Sequence, residues 1–535
     1  MLLPRTRISQ FLPLLAVILW FRQNILLQPL MRLVLTALLF ISLASCSSVR
    51  EATLKAGPND GKVILSLSSN VGGHIPLFTS VTLARADGSR TTMYSLENTE
   101  PGRSIERDTK LFVGAVPAGS YFIESFEGYN ARLYVSQTLV DAGGFRVEAG
   151  RTSDLGRVII TDSGQVGKIK VRRSPISSNR WLASDLPSAW HGVLDTPLPS
   201  PWLQAATQGI DPFKNEQPQG FVGFSSDGES IYSGARLGAV VKRSQDGHWQ
   251  VLGRSESLLS VLSTTVDGDG TVVAAGEFGA LFRVNQTGQV RELDRGNLPA
   301  GDIVFIDHSP DFTQWLVAIQ DGKHLSVLLA STVEGSSWKE LWSEPYEWVF
   351  WEQLAPLVAW SNSKGVAVVS TVSSSVGCYE WANKSWHVSP SPNGVIQKVA
   401  RGTGDIFGIG TTGSFYGEKY ISSSCGQSWS KIESPHSARA TEGVPFKVGD
   451  QYVWTEGSFS GSATATFISS DAGKTWKQTS GYSVEPGNVW FFPQKGLMFA
   501  VSTEKEYVQL PYGGPGHEKI LLSKDGGLSW QEDFK

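Results

Sequence analysis

Residues 469–476 read SSDAGKTW and residues 523–530 read SKDGGLSW. Both follow Ser-x-Asp-x-Gly-x-x-Trp, with Thr475 or Ser529 just before the tryptophan. Weaker copies precede them. SSSCGQSW (422–429) has Ser424 in place of the aspartate, and STVEGSSW (331–338) has Val333. YEWANKSW, ending at Trp386, and RSQDGHW, ending at Trp249, are further decayed, and Val290 closes VNQTGQV in the remaining slot. The closing positions 249, 290, 338, 386, 429, 476 and 530 are separated by 41, 48, 48, 43, 47 and 54 residues. A steady period in the forties is a propeller or array signature.

Upstream of each copy the text is also alike: an apolar strand, a turn, a second strand, a Gly-bearing loop and a third strand. TVVAAGEFGALFRV (271–284) and DIFGIGTTGSFYGEKYISS (405–423) are examples. Four short strands per unit make one blade, and seven units cover residues 220–535. A blade buries its faces only against its neighbours, so closure into a ring is expected. The composition agrees, with 56 Gly and 18 Trp but only 18% charged residues, as short strands joined by tight turns require. The octapeptide resembles the Asp box of the BNR-repeat propellers, which implies a turn between a blade's third and fourth strands. On that reading Asp471 and Asp525 accept backbone N–H bonds within their own turns, in boxes that open with Ser469 and Ser523. Gly473 and Gly527 allow a positive φ, while Trp476 and Trp530 pack against the blade. These roles are structural, and the decayed copies fit them.

Two apolar runs precede residue 46. Residues 11–21 (FLPLLAVILWF) are too few to span a bilayer alone. The second run starts at Met31, with Arg32, an apolar stretch over 33–41, and then Leu43-Ala44-Ser45-Cys46. That is the layout of a secretory signal. Its end resembles the lipobox of bacterial lipoproteins, which implies cleavage before Cys46 and acylation of its sulfur and its new amine. Residues 1–45 are then a signal peptide, with Met31 a more typical start than Met1, and residues 46–59 a lipidated tether. Several acyl chains anchor stably where one does not. Ser47, rather than an aspartate, after the cysteine implies the outer membrane in that family's sorting. Residues 1–45 hold Arg5, Arg7, Arg22 and Arg32 and no acid, leaving 42 basic against 50 acidic side chains from Cys46 onward, a formal −8. That balance argues against a nucleic-acid partner. Cys378 and Cys425 fall in neighbouring repeats at different repeat positions. Two separate thiols are the simpler expectation, and a disulfide stays open to them in an oxidising envelope.

Residues 60–162 alternate apolar and polar residues at strand period, as in GKVILSLSS (61–69) and GSYFIESFEG (119–128). VPAGSYFIES (116–125) and FRVEAGRTSDLG (145–156) resemble pieces of transthyretin-like or carboxypeptidase-regulatory-like domains, which implies a β-sandwich. Residues 163–219 are rich in Pro and Ser and read as a linker, although Trp181, Trp190 and Trp202 suggest that it lies on another surface. The fold class expected is therefore all-β, an N-terminal β-sandwich followed by a seven-bladed Asp-box propeller over 220–535.

Asp-box propellers include sialidases, whose site implies three arginines on a carboxylate, a Tyr–Glu pair and an Asp acid. The nearest text to that family's first arginine motif, FRVN (282–285), lacks the Pro and lies inside the second repeat, and no Arg follows Arg439. Other hydrolases flank a glycosidic bond with two carboxylates. Glu277, Asp321, Glu418, Glu504 and Glu506 occupy loops between second and third strands, where acids are usually solvated. The His residues show no metal spacing, so no metal or cofactor is expected. What remains is a surface on the face where those loops open, opposite the boxes. Candidate ligand-binding residues are Arg236 and Glu277 near the channel, Tyr507, Tyr512 and His517 in the long loop 504–519, and Trp348 and Trp351 in the aromatic run 341–353. GARLGAVVKRSQDGHW (234–249) and AGEFGALFRVNQTG (275–288) are similar to the repeat of the lipid-anchored photosystem II assembly factors. The decayed boxes and the N-terminal domain depart from that family. The expected function is a lipid-anchored envelope protein that binds a protein or glycan without catalysis, with an exo-glycosidase the alternative.

If Cys46 carries lipid, Cys46→Ala is expected to release the protein from membranes and abolish labelling by a fatty-acid analogue; full labelling of the variant rejects the anchor.

Overall fold

The computed structural model describes residues 54–69, 78–96, 107–128, 131–135, 143–165, 168–174, 176–203, 222–346, 357–401, 407–411, 418–433, 445–448, 450–455, 466–479, 489–492, 496–503 and 518–533. The chain is all-β. An N-terminal closed sheet is followed by seven four-stranded antiparallel blades.

The N-terminal strands are β1 (Asp60–Ser69), β2 (Phe78–Ala84), β3 (Arg90–Ser95), β4 (Lys110–Pro117), β5 (Gly119–Gly128), β6 (Ala131–Val135), β7 (Phe145–Val147), β8 (Thr152–Gln165) and β9 (Lys168–Arg173). Their order is β2-β3-β4-β1-β8-β9-β6-β5-β7, and a further β2–β5 pairing joins the ends of an eight-stranded set. The expected sandwich thus takes the form of a closed sheet around one core that includes Val63, Leu65, Phe112, Phe126 and Val158. Closure satisfies the backbone groups that a sheet edge would leave bare. β1 shows the strand alternation at its start but is buried on both faces from Val63 onward. Its outward serines explain this. The Ser66 hydroxyl donates to Asn179 Oδ1 (2.5 Å) and Ser68 shares a bond with Thr109 (3.3 Å).

Asn179 belongs to the Pro/Ser-rich segment, which is strapped to this barrel. Its side chain and its own N–H donate to Asp154 (2.7 and 2.8 Å), Trp190 is 1% exposed, and the Trp202 indole donates to the carbonyl of Leu155 (3.1 Å). The tryptophans and Asn179 make the segment a surface element despite its loop-like composition.

The blades span 222–254, 261–292, 302–345, 357–390, 396–431, 445–479 and 489–532. Each is built from four consecutive strands, so no strand is exchanged between the chain's two ends. The residue that closes each repeat explains what joins them. Trp338 packs with Val273 and Ala275 of the second blade, and Trp386 lies against the third blade's Leu316 and Val327. Trp429 meets Val369 and Val376 of the fourth blade, and Trp476 meets Ile421 and Ile432 of the fifth. Val290 does the same against Tyr232 and Val240 of the first. Each of these residues seals its blade to the one before it. Trp249 of the first blade applies the rule across the chain's ends, packing on Phe499 of the seventh with Phe224 stacked 5.7 Å from the same ring. There Arg243 grips Asp533 with two bonds (2.6 and 2.7 Å) while the Trp249 indole donates to the same carboxylate (2.9 Å). The ring is closed.

The octapeptides form the turns between third and fourth strands. The Ser469 hydroxyl accepts the N–H of Gly473 (2.8 Å) and donates to Asp471 (2.7 Å), whose carboxylate also takes the hydroxyl and N–H of Thr475 (2.6 and 2.9 Å). The Thr475 hydroxyl first, then its N–H, hold the Asp471 carboxyl below the usual range. Ser523, Asp525, Gly527 and Ser529 repeat the pattern. In the fifth blade the Ser424 hydroxyl stands in for the aspartate and accepts the N–H of Ser428 (2.8 Å). A hydroxyl suffices for the turn, so loss of the aspartate is tolerated. Gly473 has φ +82°, and a Cβ there would come 2.8 Å from Ile432 of the preceding blade. Beyond the turn, Trp476 meets Trp454 edge-on at 5.6 Å and donates to the carbonyl of Glu433 (2.9 Å). Cys425 occupies the box position before the glycine, and it is bonded to Cys378 of the fourth blade (Cα–Cα 6.1 Å). The two thiols expected to stand apart therefore join neighbouring blades. Cys378 lies on the third strand of its blade and Cys425 in the turn that follows the third strand of the next.

Asp533→Ala, which strands Arg243 and Trp249, is expected to cost roughly 2–4 kcal/mol, and Trp476→Ala, half-buried, a comparable amount, with Asp471→Ala milder than either. Denaturant unfolding measures all three.

Candidate functional site

The loops between second and third strands of the first two blades are the same turn written twice. Arg236-Leu237-Gly238-Ala239 and Glu277-Phe278-Gly279-Ala280 each close with the alanine N–H on the carbonyl of the charged residue (3.3 and 3.0 Å). Leu237 and Gly238 have φ +53° and +70°, Phe278 and Gly279 +52° and +73°. Two successive left-handed residues define a type I′ turn. A leucine or a phenylalanine holds that conformation at a cost of order 1 kcal/mol, kept only where surroundings impose it. The surroundings are the barrel.

Leu237 packs with Leu258, itself left-handed at φ +53°, against Ile159 and Ile176 of the barrel and strap. Beside this contact lies a charge cluster. Arg107, just before β4, puts two nitrogens on Asp302 (both 2.8 Å) with its guanidinium 3.9 Å from the centre of the Phe278 ring. The N–H of Phe278 donates to the same Asp302 (2.8 Å), so the propeller pre-aligns ring and carboxylate for that guanidinium. Asp108 pairs with Arg236 at 3.2 Å. Glu277 takes the N–H groups of Asp108 and Thr109 (the latter 3.2 Å) on one oxygen and that of Ser260 (3.2 Å) on the other. Arg157 of β8 donates to the carbonyl of Leu258. Arg236, Glu277 and Asp302 are 2%, 1% and 1% exposed. Burial first, then the charges of Asp108 and Asp302, push the Glu277 carboxyl up to about 7. Burial pulls the Arg157 guanidinium down to about 10.

Arg236 and Glu277, offered by the sequence as open-face ligand residues, thus lie together beneath the barrel. Glu277 is not a solvated loop acid. The protein's own N-terminal domain covers these turns of the first two blades and reaches Asp302 at the start of the third. Arg107, Asp108, Arg157, Phe278 and Asp302 were not anticipated. The only sequence signal was the repeated charged–apolar–Gly–Ala turn, and the partner residues are distant in the chain. Ser469, Asp471, Gly473, Trp476, Ser523, Asp525 and Gly527 lie in the turns and blade contacts described above, and Trp530 is buried at the end of its turn. Cys46, Trp348, Trp351, Tyr507, Tyr512 and His517 lie outside the described residues. Among the described residues, no cluster of three or more His, Cys, Asp or Glu could hold a metal ion, and no helix is long and apolar enough to cross a membrane.

No protein-family model matches the chain, and no curated protein matches it. Solved structures that resemble it are propellers. A streptogramin B lyase is 12% identical, covering 53% of this chain and 90% of its own with a TM-score of 0.37. YCF48 from Cyanidioschyzon merolae is 13% identical over 52% of this chain and 92% of its own, TM-score 0.38. Virginiamycin B lyase from Staphylococcus aureus is 12% identical over 52% and 90%, TM-score 0.35. Likeness this distant says nothing of ligand or reaction.

Removing Arg107 leaves Asp302 buried without its guanidinium. Arg107→Ala is expected to cost about 3–5 kcal/mol and Arg107→Lys less, since lysine keeps the charge but not the two-pronged geometry. Urea midpoints report both.

Proposed function

We propose that the chain is a lipid-anchored envelope protein whose Asp-box propeller binds a protein or glycan partner without transforming it. The observation that carries this reading is how the described loop acids are used. Glu277 holds the barrel. Asp321 accepts the N–H groups of Lys323 and His324 in its own turn (2.8 and 2.7 Å). Glu418 takes bonds from Lys431, Tyr420 and Asn393 (2.7, 2.5 and 2.5 Å), which lower its carboxyl to about 2. Each carboxylate serves local structure, and none is free to form the facing pair that glycoside hydrolysis requires. A rigid ring with loops on one face is the scaffold type on which binding elements vary freely. The membrane is a partner through the lipid on Cys46, and the negative balance from Cys46 onward disfavours nucleic acid. Export is further supported by the Cys378–Cys425 bond, because disulfides persist in oxidising compartments.

Crosslinked pull-down from intact envelopes, run beside a glycan array and chromogenic glycosides, tests the reading. Capture of a defined partner without turnover is expected, and shortening 504–519 to EKG is expected to weaken it while the protein stays folded. Glycoside turnover that disappears in Glu504→Ala or Glu506→Ala would make the chain an enzyme instead.

A further inference from the structure

We infer that the outer edge of the fourth blade is a docking strand, which takes an extended, uncharged peptide segment of a protein partner as a fifth strand. The inference deepens the protein-partner reading above and rests on it.

A strand edge offers unpaired backbone groups, and proteins protect such edges by keeping them short or by placing charges on them. The propeller has seven outer edges, one per blade. Val290–Glu292, Ser430–Lys431, Lys477–Thr479 and Gln531–Glu532 are short, and each carries a charged residue. Trp249–Arg254 ends on an arginine, and Lys339–Pro345 holds Lys339, Glu340 and Glu344. Only Ser385–Pro390 (SWHVSP) is long, at six residues, and without Asp, Glu, Lys or Arg. No charged residue follows it until Lys398.

The ladder shows which backbone groups face outward. The Ser391 N–H donates to the carbonyl of Ser374 (2.8 Å) and the Trp381 N–H to that of Lys364 (2.9 Å), and these two bonds fix the alternation. With Gly377 opposite Val388 and Tyr379 opposite Trp386, the residues that bond to the third strand are Ser385, His387 and Ser389. Trp386 and Val388 turn their N–H and C=O groups the other way, and among the described residues no strand pairs with that side. Pro390, which has no N–H, falls in the same outward set, where the ladder loses nothing by it. Trp386 and Val388 also share one face. The Trp386 ring covers Gly377, where a Cβ would come 2.2 Å from it, and lies 6.3 Å from Trp342 of the third blade. Val388, opposite that glycine, is 47% exposed. An added strand meets the backbone groups of two residues in register and an apolar floor on one face, which calls for apolar residues at alternate positions.

The occupant is a peptide segment rather than a second copy of the chain. Six residues span about 20 Å, so pairing two such edges would cover on the order of 400 Å². Stable protein interfaces start at roughly 1,200 Å². A single strand of a partner needs no such area, because main-chain hydrogen bonds supply its affinity and alternate side chains its specificity. An edge without charge has nothing to pair with a charged residue, so the segment that enters it is uncharged.

Selection of a displayed library of random peptides on the full chain, followed by residue-level amide hydrogen exchange, tests this. In the free protein the amides of 386 and 388 are expected to exchange faster than those of 387 and 389. Selected peptides should be uncharged with alternate apolar residues, and at saturation should slow 386 and 388 by about tenfold or more. Val388→Pro removes one outward N–H and no ladder bond, and Val388→Lys puts a charge on the edge. Each should weaken binding by about tenfold or more. Slow exchange at 386 and 388 in the free chain overturns the inference, and so do peptides that bind both variants as well as the wild type. A concentration-dependent dimer that Val388→Lys abolishes overturns it in favour of self-pairing. Should Val388→Pro not fold, Val388→Lys and the exchange pattern decide. A chain that selects no peptide yet captures a protein from envelopes loses the edge and keeps the partner reading, whereas binding on the glycan array alone removes both.

Discussion

A four-stranded blade has two apolar faces and no second layer of its own, so every blade depends on its neighbours for a core. The assembly of the propeller follows from that dependence. The closing residue of a repeat is apolar, and in all but the second a tryptophan, because it reaches back to the preceding blade, as Trp338, Trp429 and Trp476 do. Because each blade uses four consecutive strands, no strand crosses the junction of the chain's ends. The seal there falls to side chains: Phe224 and Trp249 on Phe499, and Arg243 on Asp533. The disulfide adds a covalent tie between the fourth and fifth blades.

The second dependence is between domains. The turns of the first two blades are committed to the barrel through contacts of two kinds, an apolar patch at Ile159, Leu237 and Leu258 and the buried charges around Glu277. The apolar patch is non-directional and supplies attraction. The charges fix register, since Arg107 fits only where a carboxylate and a ring face are held together. The left-handed Leu237, Leu258 and Phe278 are backbone distortions that the joint maintains.

How far the sequence could be read depended on how local each feature was. The propeller was legible because its repeat recurs along the chain: Ser, Gly and Trp at fixed offsets need no knowledge of what lies beside them. The turn role of Asp471 and Asp525 was legible for the same reason, since all their partners lie within four residues. The Pro/Ser-rich segment was partly legible through its tryptophans, but its anchor, Asn179 on Asp154, is a polar pair with no periodic signature.

Arg236 and Glu277 show where reading along the chain ends. Their loop position was clear from the repeat, and a charged residue at such a turn is normally solvated. What placed them beneath a second domain was the approach of Arg107, Asp108 and Thr109, more than a hundred residues earlier in the chain. Barrel closure through β2 and β5 and the Cys378–Cys425 bond were likewise decided in three dimensions. The sequence by itself determined the seven-fold β-repeat, the turn chemistry and the closing aromatics, because these are short-range patterns of backbone conformation and hydrophobicity. Only the tertiary structure decided which charges are buried and with whom, because desolvation and ion pairing depend on what comes to lie opposite a side chain, and a linear pattern does not encode that.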